Sequence, residues 1–235
     1  MTAWSPESCT RLAEVAGETL RPGGLELTKY LLSCGNLPAG SRILDAGCGL
    51  GLTTQYLRNT LQLAAVGVDS SEEMLAAARL RTGDIPLICS ELENLPFEAA
   101  RFDAVLCECV LSQTRTGEVL AEFQRVLHVN GLLLISDLYL KSALPDHGPD
   151  AEPVAGLATR AQVTAMMADA GFTVEHWEER TRELQLLAAR LILAPGSSGE
   201  NLFGWKKKGC FLNKAGEVID GRNVGYYLLV ARRIE

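Results

Sequence analysis

Short apolar runs alternate with amphipathic segments along most of this chain. Seven runs are bounded by turn residues and are short, so they are predicted as strands. These runs are Arg42–Ala46, Leu63–Asp69, Ile85–Cys89, Asp103–Cys109, Leu132–Asp137, Phe172–Glu179 and Val224–Arg232. Strands that alternate with helices are typical of a parallel sheet with helices on its faces. The pattern therefore predicts an α/β fold with a doubly wound sheet.

Capping residues mark the starts of two predicted helices. Ser70 with Glu73, and Thr159 with Gln162, each form the spacing of a capping box, in which two side chains satisfy free backbone amides. A further helix, Leu25–Ser33, precedes the first strand. We expect it to lie over the carboxyl edge of the sheet.

The helix after the fourth strand has one clearly apolar face. That face consists of Val119, Leu120, Phe123, Val126 and Leu127. The pair Asn130-Gly131 favours a left-handed backbone, which commonly ends a helix. The helix is therefore predicted to stop at this pair.

Composition and charge exclude several classes of protein. The 235 residues are predicted to form one domain, with a lid segment at 144–156 and an irregular lid segment at 195–223. A net charge of −7 disfavours binding to nucleic acid or to acidic membranes. No apolar run approaches the roughly 18 residues of a membrane span. Seven cysteines without zinc-finger spacing, and an N-terminus without a secretory pattern, favour a reducing cytoplasm.

Three glycines, Gly47, Gly49 and Gly51, stand between the first strand and the next helix. Glycines at such a turn let the backbone approach a ligand closely. A dinucleotide fingerprint would need a third glycine where Leu52 stands, and no lysine follows as in a phosphate-binding loop. The acid before the glycines, Asp45, suits an ammonium group better than a pyrophosphate. S-adenosylmethionine carries such an ammonium group and no phosphate.

Four segments together resemble a known family. "RILDAGCGLG", "VGVDSSEEML", "ENLPFEAARFDAVLCECVLSQ" and "RVLHVNGLLLISDLYL" look like successive motifs of class I S-adenosylmethionine-dependent methyltransferases. The resemblance is to the small-molecule branch related to ubiquinone-biosynthesis methyltransferases. It implies a Rossmann-like seven-stranded sheet that is mostly parallel, with an antiparallel last strand.

The resemblance also implies how the chain holds this cofactor. Asp45 and the backbone of Gly47, Cys48 and Gly49 would hold the methionine end. Asp69 would bind both ribose hydroxyls, with Ser70 beside it. Glu91 and the Leu92 amide would contact adenine, and the Cys107 carbonyl would reach the cofactor's amino group.

Two thiols, Cys107 and Cys109, end the fourth strand. Strand alternation predicts that both face one side, with Glu108 opposite. A zinc site needs more ligands at suitable spacing, and a catalytic thiol needs a nearby base or cation. The favoured interpretation is therefore inert pocket wall, with no bound metal.

A similarity to arsenite methyltransferases is the alternative, with Cys109 at that family's strand-four cysteine. Pro153 stands where that family has another cysteine, and Cys210 is the candidate substitute. Further candidates for acceptor contact follow strands four and five, the edge at which such sheets bind ligands. These candidates are Ser112, Gln113, Asp137 and Tyr139. Capping of the same loops is the competing interpretation.

The sequence thus predicts a methyltransferase that acts on a small molecule. A catalytically silent protein that binds the same cofactor is the second hypothesis, and measured methyl transfer separates the two. A nicotinamide oxidoreductase is disfavoured by Leu52 and by the acid before the glycines.

Overall fold

The computed structural model describes residues 19, 21–143, 157–193, 205–206, 210–212 and 218–234. The predicted lid at 144–156 lies outside these residues, as does most of the segment 195–223. The helices are α1 (Gly24–Gly35), α2 (Leu52–Asn59), α3 (Glu72–Thr82), α4 (Thr116–Val126), α5 (Arg160–Asp169) and α6 (Thr181–Leu193). The strands are β1 (Arg42–Ala46), β2 (Ala64–Asp69), β3 (Leu87–Cys89), β4 (Phe102–Glu108), β5 (Leu127–Leu140), β6 (Phe172–Glu179), β7 (Trp205–Lys206), β8 (Cys210–Leu212), β9 (Val218–Asp220) and β10 (Val224–Arg233).

The main sheet has seven strands in the order β3-β2-β1-β4-β5-β10-β6. Strand β10 runs antiparallel to both of its neighbours, and the other pairs are parallel. The predicted Rossmann-like sheet is therefore confirmed. The chain winds outward to β3 on one side of β1 and to β5 on the other. The reversal lies between β1 and β4, and open α/β sheets bind ligands at the carboxyl ends of such strands.

Helices bury both faces of the sheet. On one face, α4 and α5 pack through Val119, Phe123 and Met167. On the other face, α1, α2 and α6 pack through Leu31, Leu57 and Leu184. The prediction for α1 was therefore wrong in its placement, because its apolar residues cover the face of the sheet. Only the start of α1 reaches the carboxyl edge.

Three other local predictions were also wrong. Helix α4 ends at Val126, and β5 begins at once with Leu127, which pairs with Phe102. Asn130 does adopt a left-handed conformation (φ 66°), but within β5. Ser71 caps α3, since its hydroxyl accepts the Met74 amide. The stretch 195–223, predicted to be irregular, contains the small antiparallel sheet β7-β8-β9.

The second predicted capping box is confirmed. The Thr159 hydroxyl accepts the Gln162 amide, and the Gln162 side chain accepts the Thr159 amide. This box starts α5. Its first residue, Thr159, forms a β-bridge with Leu140 of β5. The segment after the undescribed residues therefore returns to the carboxyl edge of the sheet.

Candidate functional site at the carboxyl edge

The cofactor loop, Gly47–Gly51, follows β1 and is tied to the end of β2. The amides of Gly47 and Cys48 both donate to the Val68 carbonyl, at 2.8 and 2.9 Å. All three glycines of the loop have positive φ, between 51° and 79°. Residues with a side chain rarely adopt this conformation, so the sequence pattern is explained first by backbone geometry.

The three glycines of the cofactor loop face different surroundings. A Cβ atom on Gly47 would lie 2.3 Å from Val110, and one on Gly51 would lie 3.3 Å from Ala78. A Cβ atom on Gly49 would have only the Met74 Cε atom nearby, at 3.7 Å. Of the three, Gly49 is therefore the position whose backbone a ligand can approach most closely.

Asp69, at the end of β2, supports the cofactor loop. Its carboxylate accepts the Gly49 amide at 2.8 Å and the Ser71 amide at 3.0 Å, one on each oxygen. A carboxylate can accept about four hydrogen bonds. Asp69 is half-buried, so acceptor capacity remains for a ligand's hydroxyl groups.

The turn after β3 lies beside Asp69. The Ser90 amide donates to the Asp69 carbonyl at 3.1 Å, and the Asn94 amide donates to the Glu91 carbonyl at 3.2 Å. Glu91 is exposed, whereas Leu92 is buried. The segment predicted to contact adenine is thus fixed next to the loop, with the Glu91 carboxylate in solvent.

Asp45 lies beneath the cofactor loop and is almost fully buried. Burial raises the pKa of this carboxyl to about 7, although the hydrogen bond from Thr54, at 2.6 Å, opposes the shift. Cys48 is also buried, and its sulfur packs beside Gly67 of β2. Cys48 is therefore a packing residue, and burial raises the pKa of its thiol.

A buried ion pair that the sequence did not reveal lies next to Asp45. Arg21 and Glu108 are 2.8 Å apart, and their side chains are 11% and 5% exposed. Arg21 also donates to Thr28 of α1 and to Thr53 of α2. Burial raises the pKa of Glu108, and the Arg21 charge opposes the shift. The pair joins α1, α2 and the end of β4 at one point.

Cys107 and Cys109 lie on opposite faces of the sheet, so the prediction of a common face was wrong. Cys107 is fully buried on the face covered by α4, while Cys109 packs against the face covered by α1. Strand β4 ends at Glu108, and Cys109 takes a left-handed conformation with φ 60°. This turn in the backbone breaks the alternation.

A chain of hydrogen bonds runs from Cys109 back to Glu108. The Cys109 sulfur is 3.2 Å from the Tyr226 hydroxyl, which donates to Ser136 at 2.9 Å. Ser136 donates to Glu108 at 3.3 Å. Since each hydroxyl has one hydrogen, the Cys109 thiol must be the donor to Tyr226. Burial raises the pKa of Cys109, so the sulfur is held as a neutral thiol.

The acceptor turn, Cys109–Gln113, is fixed by Asp137. The buried Asp137 carboxylate accepts the Ser112 amide at 2.9 Å and the Ser112 hydroxyl at 2.7 Å. Gln113 donates to the Cys109 carbonyl. Ser112, Gln113 and Asp137 therefore cap the turn, and their predicted acceptor contacts stay predictions.

The other two candidates lie apart from this turn. The Tyr139 ring is buried, with its centroid 5.5 Å from that of Trp177 and 5.9 Å from that of Tyr227. The backbone of Cys210 pairs with Asp220 in the small sheet. Contact of either residue with an acceptor also stays a prediction.

Cys107→Ser tests the pocket-wall interpretation of the strand-four thiols. We expect the variant to be less stable by about 1–3 kcal/mol, because a hydroxyl replaces a thiol at a fully buried apolar position. Affinity for S-adenosylhomocysteine should remain close to wild type. Thermal denaturation and calorimetry measure the two quantities. Stoichiometric zinc or iron lost on this substitution would contradict the interpretation.

No group of three or more metal-ligating side chains occurs among the residues that the structure describes. Within the same residues, no helix is both long and apolar enough to cross a membrane. The free thiols are Cys34, Cys48, Cys89, Cys107 and Cys109.

Comparison with known proteins shows what this chain is similar to. Residues 44–135 match the family described as methyltransferase domain. The uncharacterized methyltransferase YodH of Bacillus subtilis is 36% identical over 167 residues, which are 69% of this chain and 65% of that protein. This chain therefore covers slightly less than two thirds of that relative.

Two solved structures resemble the fold. Phosphoethanolamine N-methyltransferase 2 of Haemonchus contortus, in complex with phosphomonomethylethanolamine and S-adenosylhomocysteine, superposes with a TM-score of 0.78 at 19% identity. The match covers 100% of this chain and 58% of that one. The [4+2]-cyclase SpnF superposes with a TM-score of 0.65 at 21% identity, over 89% of this chain and 80% of that one. At these identities the likeness concerns the fold alone.

The resemblance predicted from the four sequence motifs is thus confirmed. Residues 44–135 match a methyltransferase domain, and the seven-stranded sheet has the Rossmann-like fold. These matches do not support the predicted similarity to arsenite methyltransferases.

Proposed function

We propose that this chain transfers a methyl group from S-adenosylmethionine to a small-molecule acceptor. The observation that carries the proposal is the open approach to Gly49, whose amide is held by Asp69 at the reversal point of the sheet. The match of residues 44–135 to a methyltransferase domain supports it. The five free thiols at Cys34, Cys48, Cys89, Cys107 and Cys109 support a reducing compartment such as the cytoplasm.

The residues around the cofactor loop fit this cofactor. Asp69 has acceptor capacity left for the two ribose hydroxyls, and the exposed Glu91 lies beside it for the adenine amino group. Asp45 supplies negative charge under the loop for the ammonium group of the methionine end. The Cys107 carbonyl and the Leu92 amide complete the set. The bound cofactor would supply a methyl group activated on a sulfonium, and the chain aligns it with the acceptor.

The acceptor lies at the carboxyl ends of β4 and β5, next to the acceptor turn. This turn follows directly on β4, and its residue Val110 packs against Gly47 of the cofactor loop. The net charge of −7 favours a free small molecule over a nucleic acid. A thiol-bound metalloid is disfavoured because Cys109 is a neutral thiol already hydrogen-bonded to Tyr226.

Titration and turnover test the proposal separately. Calorimetry should show binding of S-adenosylmethionine and S-adenosylhomocysteine and no binding of NAD. Methyl transfer from labelled cofactor should then be screened against small hydroxyl, amine and carbon acceptors. Binding of NAD, without binding of either sulfur compound, would show that S-adenosylmethionine is not the cofactor. Cofactor binding without any transfer would favour the silent protein, and a related fold in SpnF, named a cyclase, makes this measurement necessary.

Asp69→Ala is expected to weaken S-adenosylhomocysteine binding at least tenfold. Hydrogen bonds to a charged group contribute about 1.5–3 kcal/mol each, and this change removes the pair to the ribose. It also frees the Gly49 amide from its support. Calorimetry measures the affinity, and Asp84→Ala, at an exposed aspartate, is the matched control. An unchanged dissociation constant in a folded Asp69→Ala variant would remove Asp69 from the site.

A further inference from the structure

Val110 fills the space that Gly47 leaves. Its Cγ2 atom lies 2.3 Å from the position that a Cβ atom on Gly47 would occupy, and its Cγ1 atom lies at 2.9 Å. Both distances are far shorter than a normal contact between carbon atoms. Val110 therefore excludes a side chain at Gly47 in addition to the positive φ, whereas the open side of Gly49 is left for a ligand.

The position of Val110 is fixed by the strands around it. The preceding residue, Cys109, donates its amide to the Ser136 carbonyl of β5 at 2.7 Å. Two residues after Val110, Ser112 donates hydrogen bonds from its amide and its hydroxyl to the Asp137 carboxylate. Anchors on both sides of Val110 thus come from consecutive residues of β5, so the side chain rests on a rigid support.

A second connection joins the acceptor turn to the cofactor loop through buried polar side chains. The hydrogen-bond chain from Cys109 ends on Glu108, which is paired with Arg21. Arg21 in turn donates to Thr53, in the first turn of the helix that the cofactor loop starts, at 3.1 Å. The acceptor turn therefore holds the cofactor loop from two sides, through packing at Val110 and through the buried ion pair.

We propose that Val110 is a positioning residue that seats the cofactor loop and couples it to the acceptor turn. The inference rests on the proposed function, since it takes the loop as the binding site of S-adenosylmethionine. Val110 acts through Gly47 and need not touch the cofactor. Occupation of the loop should consequently be felt at Cys109, the residue next to Val110.

Reciprocal substitution tests the seating. Val110→Ala alone should weaken binding of S-adenosylhomocysteine a few-fold, because the loop loses its support. Gly47→Ala should weaken it at least tenfold. The double variant Gly47→Ala/Val110→Ala should instead bind S-adenosylhomocysteine more tightly than Gly47→Ala alone. The change at Val110 removes the two methyl groups that a Cβ atom at position 47 would contact. An equal loss from Val110→Ala in both backgrounds would overturn the proposal.

Gly51→Ala is the matched control on the same loop. A methyl group there would meet Ala78 and Ile85 rather than Val110, and its φ of 71° is similar to the 79° of Gly47. Val110→Ala should not rescue this variant, and a rescue would overturn the specific contact. If Gly47→Ala fails to fold, Val110→Ala must restore folding, and failure to do so counts against the proposal. Wild-type protein that does not bind S-adenosylhomocysteine would reject the proposed function instead.

Alkylation of Cys109 tests the coupling. Reaction with iodoacetamide, followed by peptide mapping, reports this half-buried thiol separately from the exposed Cys34 and Cys89. Saturating S-adenosylhomocysteine should slow alkylation of Cys109 in wild type and should have little effect in Val110→Ala. Equal protection in both proteins would show direct shielding by the ligand and would overturn the coupling.

Discussion

Asp45→Asn should give a protein that is more stable and binds the cofactor worse. A carboxyl whose folded-state pKa lies near 7, against an ordinary value of 3.8, favours folding only when it is protonated. Its contribution is complete below the ordinary pKa and is lost as pH rises toward 7. At pH 8 the neutral amide should therefore gain roughly 2–4 kcal/mol, since one pKa unit corresponds to about 1.4 kcal/mol. At pH 4 the two proteins should differ little.

Binding should change in the opposite direction. The amide cannot offer a charge to the cofactor's ammonium group, so affinity should fall roughly ten- to hundredfold, from a loss of about 1.5–3 kcal/mol. In wild type the ammonium favours the charged carboxylate, so binding below pH 7 should release a proton and affinity should rise with pH up to about 7. Calorimetry in buffers of different ionisation enthalpy measures this release, which should vanish in Asp45→Asn. A less stable variant at pH 8, or one that binds normally, would contradict this role.

Arg21→Met should destabilise the protein by about 3–5 kcal/mol. Breaking a buried ion pair leaves an uncompensated charge, which costs far more than the intact pair contributes. Among the residues that the structure describes, Glu108 would retain hydroxyl donors alone, from Thr28 and Ser136, at a site where its side chain is 5% exposed. The loss of the guanidinium raises the pKa of Glu108 further. The destabilisation should consequently be largest at high pH and should shrink as pH falls and Glu108 becomes protonated.

A second substitution separates the ion pair from simple packing. Adding Glu108→Met to Arg21→Met removes both charges and should recover most of the lost stability. Lys29→Met, which breaks the exposed pair with Glu26 on the same helix, is the control and should leave the denaturation midpoint nearly unchanged. Chemical denaturation gives these values. A double variant as unstable as Arg21→Met would show that the ion pair is not the cause.

Local patterns predicted the elements of this fold better than their ends. The Thr159 capping box was correct because both partners lie within one turn. The end of α4 was missed because β5 pairing begins at Leu127, three residues before Asn130, and Leu127 also fits the apolar face of the helix. Likewise, the left-handed turn at Cys109 could not be derived from the alternation in β4.

The cofactor loop was recognisable because its glycines and Asp69 stand in a compact motif. The residues around the cofactor loop could not be recognised from the sequence, because their hydrogen-bond partners are distant in sequence. Thr28 is 80 residues from Glu108, and Ser136 is 90 residues from Tyr226. Tyr226 lies in an apolar strand and has the pattern of a core residue, and its hydroxyl matters only through Ser136 and Cys109. Long-range hydrogen bonds of this kind leave no periodic signal.

The position of β10 in the sheet has a consequence for synthesis of the chain. This strand is translated last among the seven, yet it lies between β5 and β6 and pairs with both along most of its length. On the ribosome, β6 has no neighbour in the main sheet until β10 has left the exit tunnel, and β5 keeps an open edge. Such edges attract other strands, so the nascent chain is most vulnerable to aggregation before β10 emerges. A chaperone that shields β-edges should therefore act after β6 has emerged and before β10 does.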